Sequence, residues 1–174
     1  QEHEIVVVNA GSSAGSEDYT ARAVESLGEL AVHGVAIRPG HPVVLGVVNS
    51  TPVIGLPGYP VSALVTAELF LKTIIGRCLG ISVSHRRPFG DRTGSTKSQT
   101  IKAIMTRKTP SPAGEDEFLR VRLGVVDNRL VATPIRRGAG VIMSLVEADG
   151  IALIPRFSEG VEAGGEIQVE IIKS

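Results

Sequence analysis

Tryptophan is missing from this chain of 174 residues, aromatic residues make up only 3% of it, and Cys78 is its one cysteine. So few aromatics leave no stacking platform for single-stranded nucleic acid. A lone cysteine in an apolar helical stretch closes no internal disulfide and points to a reducing, cytoplasmic compartment. Net charge is missing too. The 18 Lys and Arg balance 18 Asp and Glu, so no global field draws the chain to nucleic acid or to a membrane surface. No signal-peptide pattern or transmembrane run is legible. The 4 histidines fall at no metal-ligand spacing with the cysteine, which argues against zinc. The chain also begins at Gln1 rather than Met, and the expectation is a fragment or a processed product.

What is present is enough apolar residue, 43%, to fill a core, with 20 glycines and 10 prolines to turn the chain tightly. The length suits one ordinary domain or two small ones. Ile5–Asn9 is a short β-branched run of the kind buried in a parallel sheet. A small-residue loop follows, and then Ala21, Val24, Leu27, Leu30 and Ala31 recur at helical spacing, with Ser16 or Asp18 as the cap. Val32–Ile37 reads as a second strand. Val43–Val48 and Thr51–Leu56 read as a hairpin about Asn49-Ser50. From Val61 to about Leu79 the sequence suits a helix that is apolar almost all round, so it is expected to be largely buried. Residues 82–98 are polar and rich in turns, and they read as a linker between domains at 1–81 and 99–174. Beyond it the helical period vanishes. Thr100–Thr106, Phe118–Val125, Arg129–Thr133, Gly140–Ser144, Gly150–Ile154 and Glu166–Ile172 read as short strands separated by turns, including Asp127-Asn128. The second domain is therefore expected to be a small β-barrel or sandwich.

The chain is organised around Val53-Ile-Gly-Leu-Pro-Gly-Tyr-Pro-Val-Ser-Ala-Leu64. This reads as strand, tight turn and helix, with Pro60 at the first helical position, where its missing N–H costs nothing. Such a turn aims free amides at one spot and suits an anion. Gly11-Ser-Ser-Ala-Gly15 stands in the same position after the first strand. Neither loop matches a P-loop or a dinucleotide fingerprint. Ordinary turns with capping serines would look the same. Glu17 and Asp18 either favour the helix dipole or ligate magnesium, which is commonly held by one or two carboxylates plus substrate phosphates. Arg38-Pro-Gly-His-Pro42 offers a cation and an imidazole beside a rigid turn, either solvated or facing an anion. Arg136-Arg137-Gly138 more often marks a solvated turn, and Arg86-Arg87 is weaker still. Gly11 to Gly15 has the glycine spacing of a nucleophile elbow, but no triad histidine can be assigned, so a hydrolase is discounted.

Three of these motifs, in order and in register, resemble those of the molybdopterin molybdenumtransferases of the MoeA and gephyrin E-domain type. Gly11-Ser-Ser-Ala-Gly-Ser-Glu-Asp-Tyr-Thr20 is similar to the family's glycine/serine loop and acidic motif. Val35-Ala-Ile-Arg-Pro-Gly-His-Pro42 is similar to its Lys-Pro-Gly-Lys-Pro segment, and Gly55-Leu-Pro-Gly-Tyr-Pro-Val-Ser-Ala63 to its Gly-Leu-Pro-Gly-Asn-Pro-Val-Ser motif. Gly138–Leu145, Ala148–Gly150 and Pro155 resemble its C-terminal β-domain. The resemblance implies part of a doubly wound molybdopterin-binding α/β domain, followed by a small barrel-like β-domain. It implies insertion of molybdate into adenylylated molybdopterin, with Mg²⁺ and release of AMP, in a cytoplasmic homodimer.

By the same resemblance, Asp18 and Arg38 are the catalytic positions, and Asp18 with Glu17 holds the metal. Gly11, Ser12, Ser13, Gly15, Pro39, Gly40, His41, Pro57, Gly58, Tyr59, Pro60 and Ser62 contact the pterin phosphate or the oxoanion. His41 stands where the family has lysine, Tyr59 where it has asparagine, and Ala139 where serine is common. These departures bear on substrate detail, such as tungstate in place of molybdate. The resemblance further implies a C-terminal portion of a longer protein. A non-catalytic pterin- or oxoanion-binding module, a scaffold, and a molybdopterin adenylyltransferase are the alternatives.

Overall fold

The run of β-branched residues from Val6 sets the first strand of the structure, a computed structural model that describes residues 3–12, 19–81, 100–135, 138 and 142–172, with backbone alone at 10–12. The elements in chain order begin with β1 (Val6–Ser12), α1 (Tyr19–Leu27), β2 (Glu29–His33), β3 (Ile37–Arg38), β4 (Val44–Val48) and β5 (Thr51–Pro57). A helix follows in three parts: α2 (Pro60–Thr66), a π-helical segment (Ala67–Leu71) and α3 (Lys72–Cys78). Then come β6 (Thr100–Met105), β7 (Thr109–Pro110), β8 (Asp116–Val126), β9 (Arg129–Pro134), α4 (Met143–Glu147), β10 (Gly150–Ile154), β11 (Gly160–Val161) and β12 (Glu166–Ile171). They form two compact units, Gln1–Val35 with Pro39–His85 and Ala36–Arg38 with Arg86–Ser174.

In the first unit the strands lie in the order β1-β5-β4-β2. β1 and β5 are parallel, and the other pairings are antiparallel. The hairpin legible in the sequence is present. Asn49 and Ser50 both take positive φ, 49° and 65°, as a two-residue turn that follows the strand twist requires. Ala21 and Val24 of α1 pack on one face of the sheet with Val44 and Val53. Val43, Ile54 and Leu56 pack on the other face with Ala63, Ala67, Phe70 and Leu71 of the three-part helix. Helices therefore cover both faces, as part of a doubly wound domain requires. Gly46 permits the approach of α1: a Cβ there would lie 2.4 Å from Val24 Cγ1 and 2.6 Å from the Glu29 carbonyl oxygen.

Three expectations for this unit need correction. The helix expected to carry Leu30 and Ala31 ends at Leu27, and both residues belong to β2. Val32–Ile37 is not one strand. β2 ends at His33, Gly34 turns the chain at φ 81°, and Ile37–Arg38 becomes a strand of the other unit. The long helix has the expected extent but is not largely buried. Its π-helical segment has no buried residue, and Leu64 and Ile75 are 40% and 41% exposed. One stripe of the helix meets the sheet, and its remaining apolar side chains are left partly open.

In the second unit, β10, β12, β6, β9 and β8 pair in that order, and a further β10–β8 pairing closes a five-stranded barrel. Period-two alternation fills it with Ala103, Met105, Leu119, Val121, Ala132, Ala152, Ile154, Ile167 and Val169. Closure removes the open edges a small sheet would expose. Asp127 and Asn128 make the expected hairpin turn at φ 48° and 61°. The expected strand Gly140–Ser144 is corrected where it is described, because Met143–Glu147 is the short helix α4, with Ser144 buried. A short apolar run does not separate strand from helix by period alone. The ribbon of β7 with β11 had no signal in the sequence beyond Thr109 and Val161, and the pairing of β3 with β8 none beyond Ile37.

Candidate functional site

Parallel pairing of β1 with β5 sends both chains out of the sheet at the same edge. Their register ends with Ser12 opposite Pro57, after an irregularity between Asn9 and Ser12. β1 and β5 therefore end side by side, and the Pro-Gly-Tyr-Pro loop leaves the sheet there, beyond the carboxyl ends of adjacent strands. Ligands of open α/β sheets bind in that position.

The second loop is fully described. Pro57 is buried, and Gly58, Tyr59 and Pro60 are exposed, Tyr59 to 65%. Tyr59 is extended, with φ −80° and ψ 129°, and caps α2 without a side-chain bond. Its carbonyl accepts the Ala63 N–H at 2.9 Å. Pro60 has no N–H, so the amides of Val61 and Ser62 are the first-turn donors left without an intrahelical acceptor. Ser62 is buried, and its carbonyl accepts the Thr66 hydroxyl at 2.8 Å. Close packing of α1 holds the strand behind this loop, since a Cβ at Gly55 would stand 3.0 Å from Thr20 Cγ2.

The Arg-Pro-Gly-His-Pro segment crosses between the units. Arg38 is exposed at the end of β3 in the second unit, and Pro39, Gly40 and His41 belong to the first. Gly40 takes φ 120°, a conformation open to glycine and costly for other residues. The His41 carbonyl accepts the N–H groups of Val35 and Val43 at 2.9 Å each and closes the turn. Its ring side is exposed.

Gly11 and Ser12 lie at the end of β1. Ser13, Gly15, Glu17 and Asp18 fall outside the described residues. Among the described residues, no group of three or more His, Cys, Asp and Glu could hold a metal ion. No described helix is long and apolar enough to cross a membrane. A cleft of about 420 Å³ lined by His3, Glu4, Ile5, Ile75, Cys78 and Leu79 involves none of the expected site residues.

Two charged features of the second unit were not singled out in the sequence. Arg120 is only 5% exposed, and burial pushes its pKa down against the opposing field of Glu117. It stands in register with Ile151, which in turn faces Glu170. The second feature is an ion pair, Asp116 with Arg156. The Arg156 backbone N–H donates to Asp116 Oδ1 at 2.8 Å, and its Nε and Nη2 donate to Oδ2 at 3.2 and 2.6 Å. That guanidinium bonding holds the Asp116 carboxyl below its ordinary range. The sequence signal was an acid before one strand and a base after another, 40 residues apart, which carries no pairing information.

Comparison with known proteins matches both units. Residues 1–77 match the family described as a probable molybdopterin binding domain, and residues 102–172 match the MoeA C-terminal region, domain IV. A Methanocaldococcus jannaschii protein with a provisional molybdopterin biosynthesis name is 35% identical across 99% of this chain. A Bacillus subtilis molybdopterin molybdenumtransferase is 27% identical across 98% of it. The chain spans 37% of the length of each of these relatives. The crystal structure of a molybdopterin biosynthesis MoeA protein from Pyrococcus horikoshii superposes on 99% of this chain with a TM-score of 0.69 at 33% identity, over 38% of that protein.

Proposed function

Because this chain belongs to the molybdopterin molybdenumtransferase family of the MoeA type, we propose that it carries part of the machinery that inserts molybdate or tungstate into adenylylated molybdopterin and releases AMP. The observation that supports this reading is the register of Ser12 with Pro57, by which the two strands that precede the anion-suited sequences end side by side. Amides at the start of α2 and the serine-rich loop after β1 offer hydrogen bonds to phosphate and oxoanion oxygens. Such preorganised donors hold charge without reorganising when the reaction occurs. Arg38 supplies the compensating cation, and Pro39, Gly40 and His41 turn the chain beside it. Tyr59 and His41, in place of an amide and a lysine, shift the contacts with the oxoanion and bear on the choice between molybdate and tungstate.

Glu17 and Asp18 present hard oxygen donors, the kind Mg²⁺ takes. Bound there, the ion supplies charge screening and Lewis acidity at the phosphoanhydride. We further read the protein as cytoplasmic, in keeping with the free, exposed Cys78, and as a homodimer, in keeping with its family.

The test is titration calorimetry of adenylylated molybdopterin into the chain with Mg²⁺ and molybdate, with AMP assayed in the same samples. Binding with AMP release that is lost in Asp18→Ala is the expected result. Binding without release, unchanged by that substitution, would replace the enzyme reading with a non-catalytic binding module.

A further inference from the structure

The strand that carries Arg38 is too short to hold itself. β3 has two residues, paired as Ile37 with Asp116 and Arg38 with Glu117 on β8. Beyond that pairing, the Asp116 N–H donates to the Ala36 carbonyl at 3.0 Å, and the Ile37 side chain is buried. Where Arg38 stands is thus decided by where the first two residues of β8 stand.

The first of those two residues lacks the support that the rest of β8 enjoys. β9 pairs with β8 only from Val121 onward. On the other side, the β10 ladder ends at Glu117 opposite Ile154. Asp116 lies one residue beyond the last rung. The Arg156 backbone N–H bonds to the Asp116 side chain there, the guanidinium bonds to the same carboxylate, and the Arg156 carbonyl accepts the Gly114 N–H at 2.8 Å. A carboxylate and an arginine fork thus extend the β10–β8 ladder by one step, at the position that receives β3. Both carboxylate oxygens are thus engaged, Oδ1 by the backbone N–H and Oδ2 by the guanidinium, and such charge-assisted bonding fixes geometry as well as adding energy.

We propose that Asp116 and Arg156 are positioning residues for Arg38, holding the template on which its two-residue strand forms. The proposal rests on the reading of Arg38 as the cation that meets the anionic ligand. Neither Asp116 nor Arg156 touches the ligand in this scheme. Their effect on binding passes through Arg38 alone, which separates it from a general role in closing the barrel.

The experiment uses the full chain and molybdate as the probe. Molybdate affinity is measured for the parent, Arg38→Ala, Asp116→Asn and the double variant, together with hydrogen exchange across residues 36–38. Arg38→Ala is expected to weaken molybdate by about tenfold, the worth of one charge-assisted hydrogen bond. Asp116→Asn is expected to weaken it by a smaller factor, to speed exchange at Ile37 and Arg38, and to have no further effect in the Arg38→Ala background. Arg156→Lys keeps the charge and loses the fork. It repeats the measurement with a milder change should Asp116→Asn fold poorly, and an intermediate loss is expected. An Arg38→Ala chain that binds molybdate as the parent does would overturn the reading of Arg38, and this proposal with it. An Arg38→Ala loss without an Asp116→Asn loss, or equal Asp116→Asn losses in both backgrounds, would overturn the positioning role alone.

Discussion

Asp116 titrates in a way that can be read from outside. Its folded-state pKa is depressed below the ordinary 3.8, first by the side-chain bond with Arg156. The pair's stabilisation is therefore complete above that ordinary value and is lost as pH falls through the lower folded value. The expected outcome is a gap in melting temperature between the parent and Asp116→Asn that stays constant from pH 7 to about pH 5 and narrows below pH 3.8. A gap that is flat down to the acid limit would mean that the ionised pair contributes nothing. At this scale the sequence was informative about residue types and poor on placement. The Pro57-Gly58-Tyr59-Pro60 turn was legible because proline and glycine fix backbone geometry locally. Arg38 was read with its sequence neighbours, but it pairs with β8 because a hydrogen-bonded edge outweighs contiguity in the chain. Arg120 and Arg122 alternate along β8 and were not singled out in the sequence, yet Arg120 is buried while Arg122 is exposed, with its own partner Glu147 at 3.0 Å. Burial on the outer wall of a barrel depends on what lies over it, which period alone does not encode.

Elements were recovered where local and tertiary preference agreed. The hairpin of β4 and β5 was clear because its turn residues and its apolar alternation say the same thing. α1 shows what the sequence leaves out. Its apolar stripe was visible, but nothing marked Gly46 as a place where the helix comes close to the sheet. Gly46→Ala sets a methyl group 2.4 Å from Val24 Cγ1 and 2.6 Å from a backbone oxygen. A side-chain methyl can shift, but the carbonyl of Glu29 moves only with β2. The expected cost is about 1–3 kcal/mol, read by urea denaturation as a lower midpoint at unchanged slope. A neutral outcome would mean that α1 sits farther from the sheet than these distances imply. The three-part helix carries the opposite lesson. Its composition was taken as a sign of burial, but composition reports only what a helix could bury. The sheet offers one face to that helix, so Val61 and Val65 are buried and its other apolar side chains stay partly or fully open.

Each unit has its own core, and the whole chain should behave accordingly. Ile54 is fully buried in the first unit, among Val43, Leu56 and the helix that follows β5. Leu119 is 2% exposed in the second, inside the barrel. Truncating a buried leucine or isoleucine to alanine costs about 2–5 kcal/mol, the transfer term plus the cavity left behind. In units of this size each kcal/mol moves a melting midpoint by roughly 4–8 °C. Calorimetry is therefore expected to resolve two transitions. Ile54→Ala should move one of them by roughly 10 °C or more and leave the other in place, and Leu119→Ala should do the reverse. The strand of Ile37 and Arg38 supplies the exception that makes the experiment informative. It is reached from the first unit at both ends and forms only on the second. Where Leu119→Ala brings the barrel's transition below that of the first unit, melting of the barrel releases Arg38 from its template on β8. At a temperature between the two transitions of Leu119→Ala, molybdate affinity should fall to the level of Arg38→Ala. Affinity that persists after the barrel has melted would overturn the reading of Arg38 as the cation that meets the oxoanion.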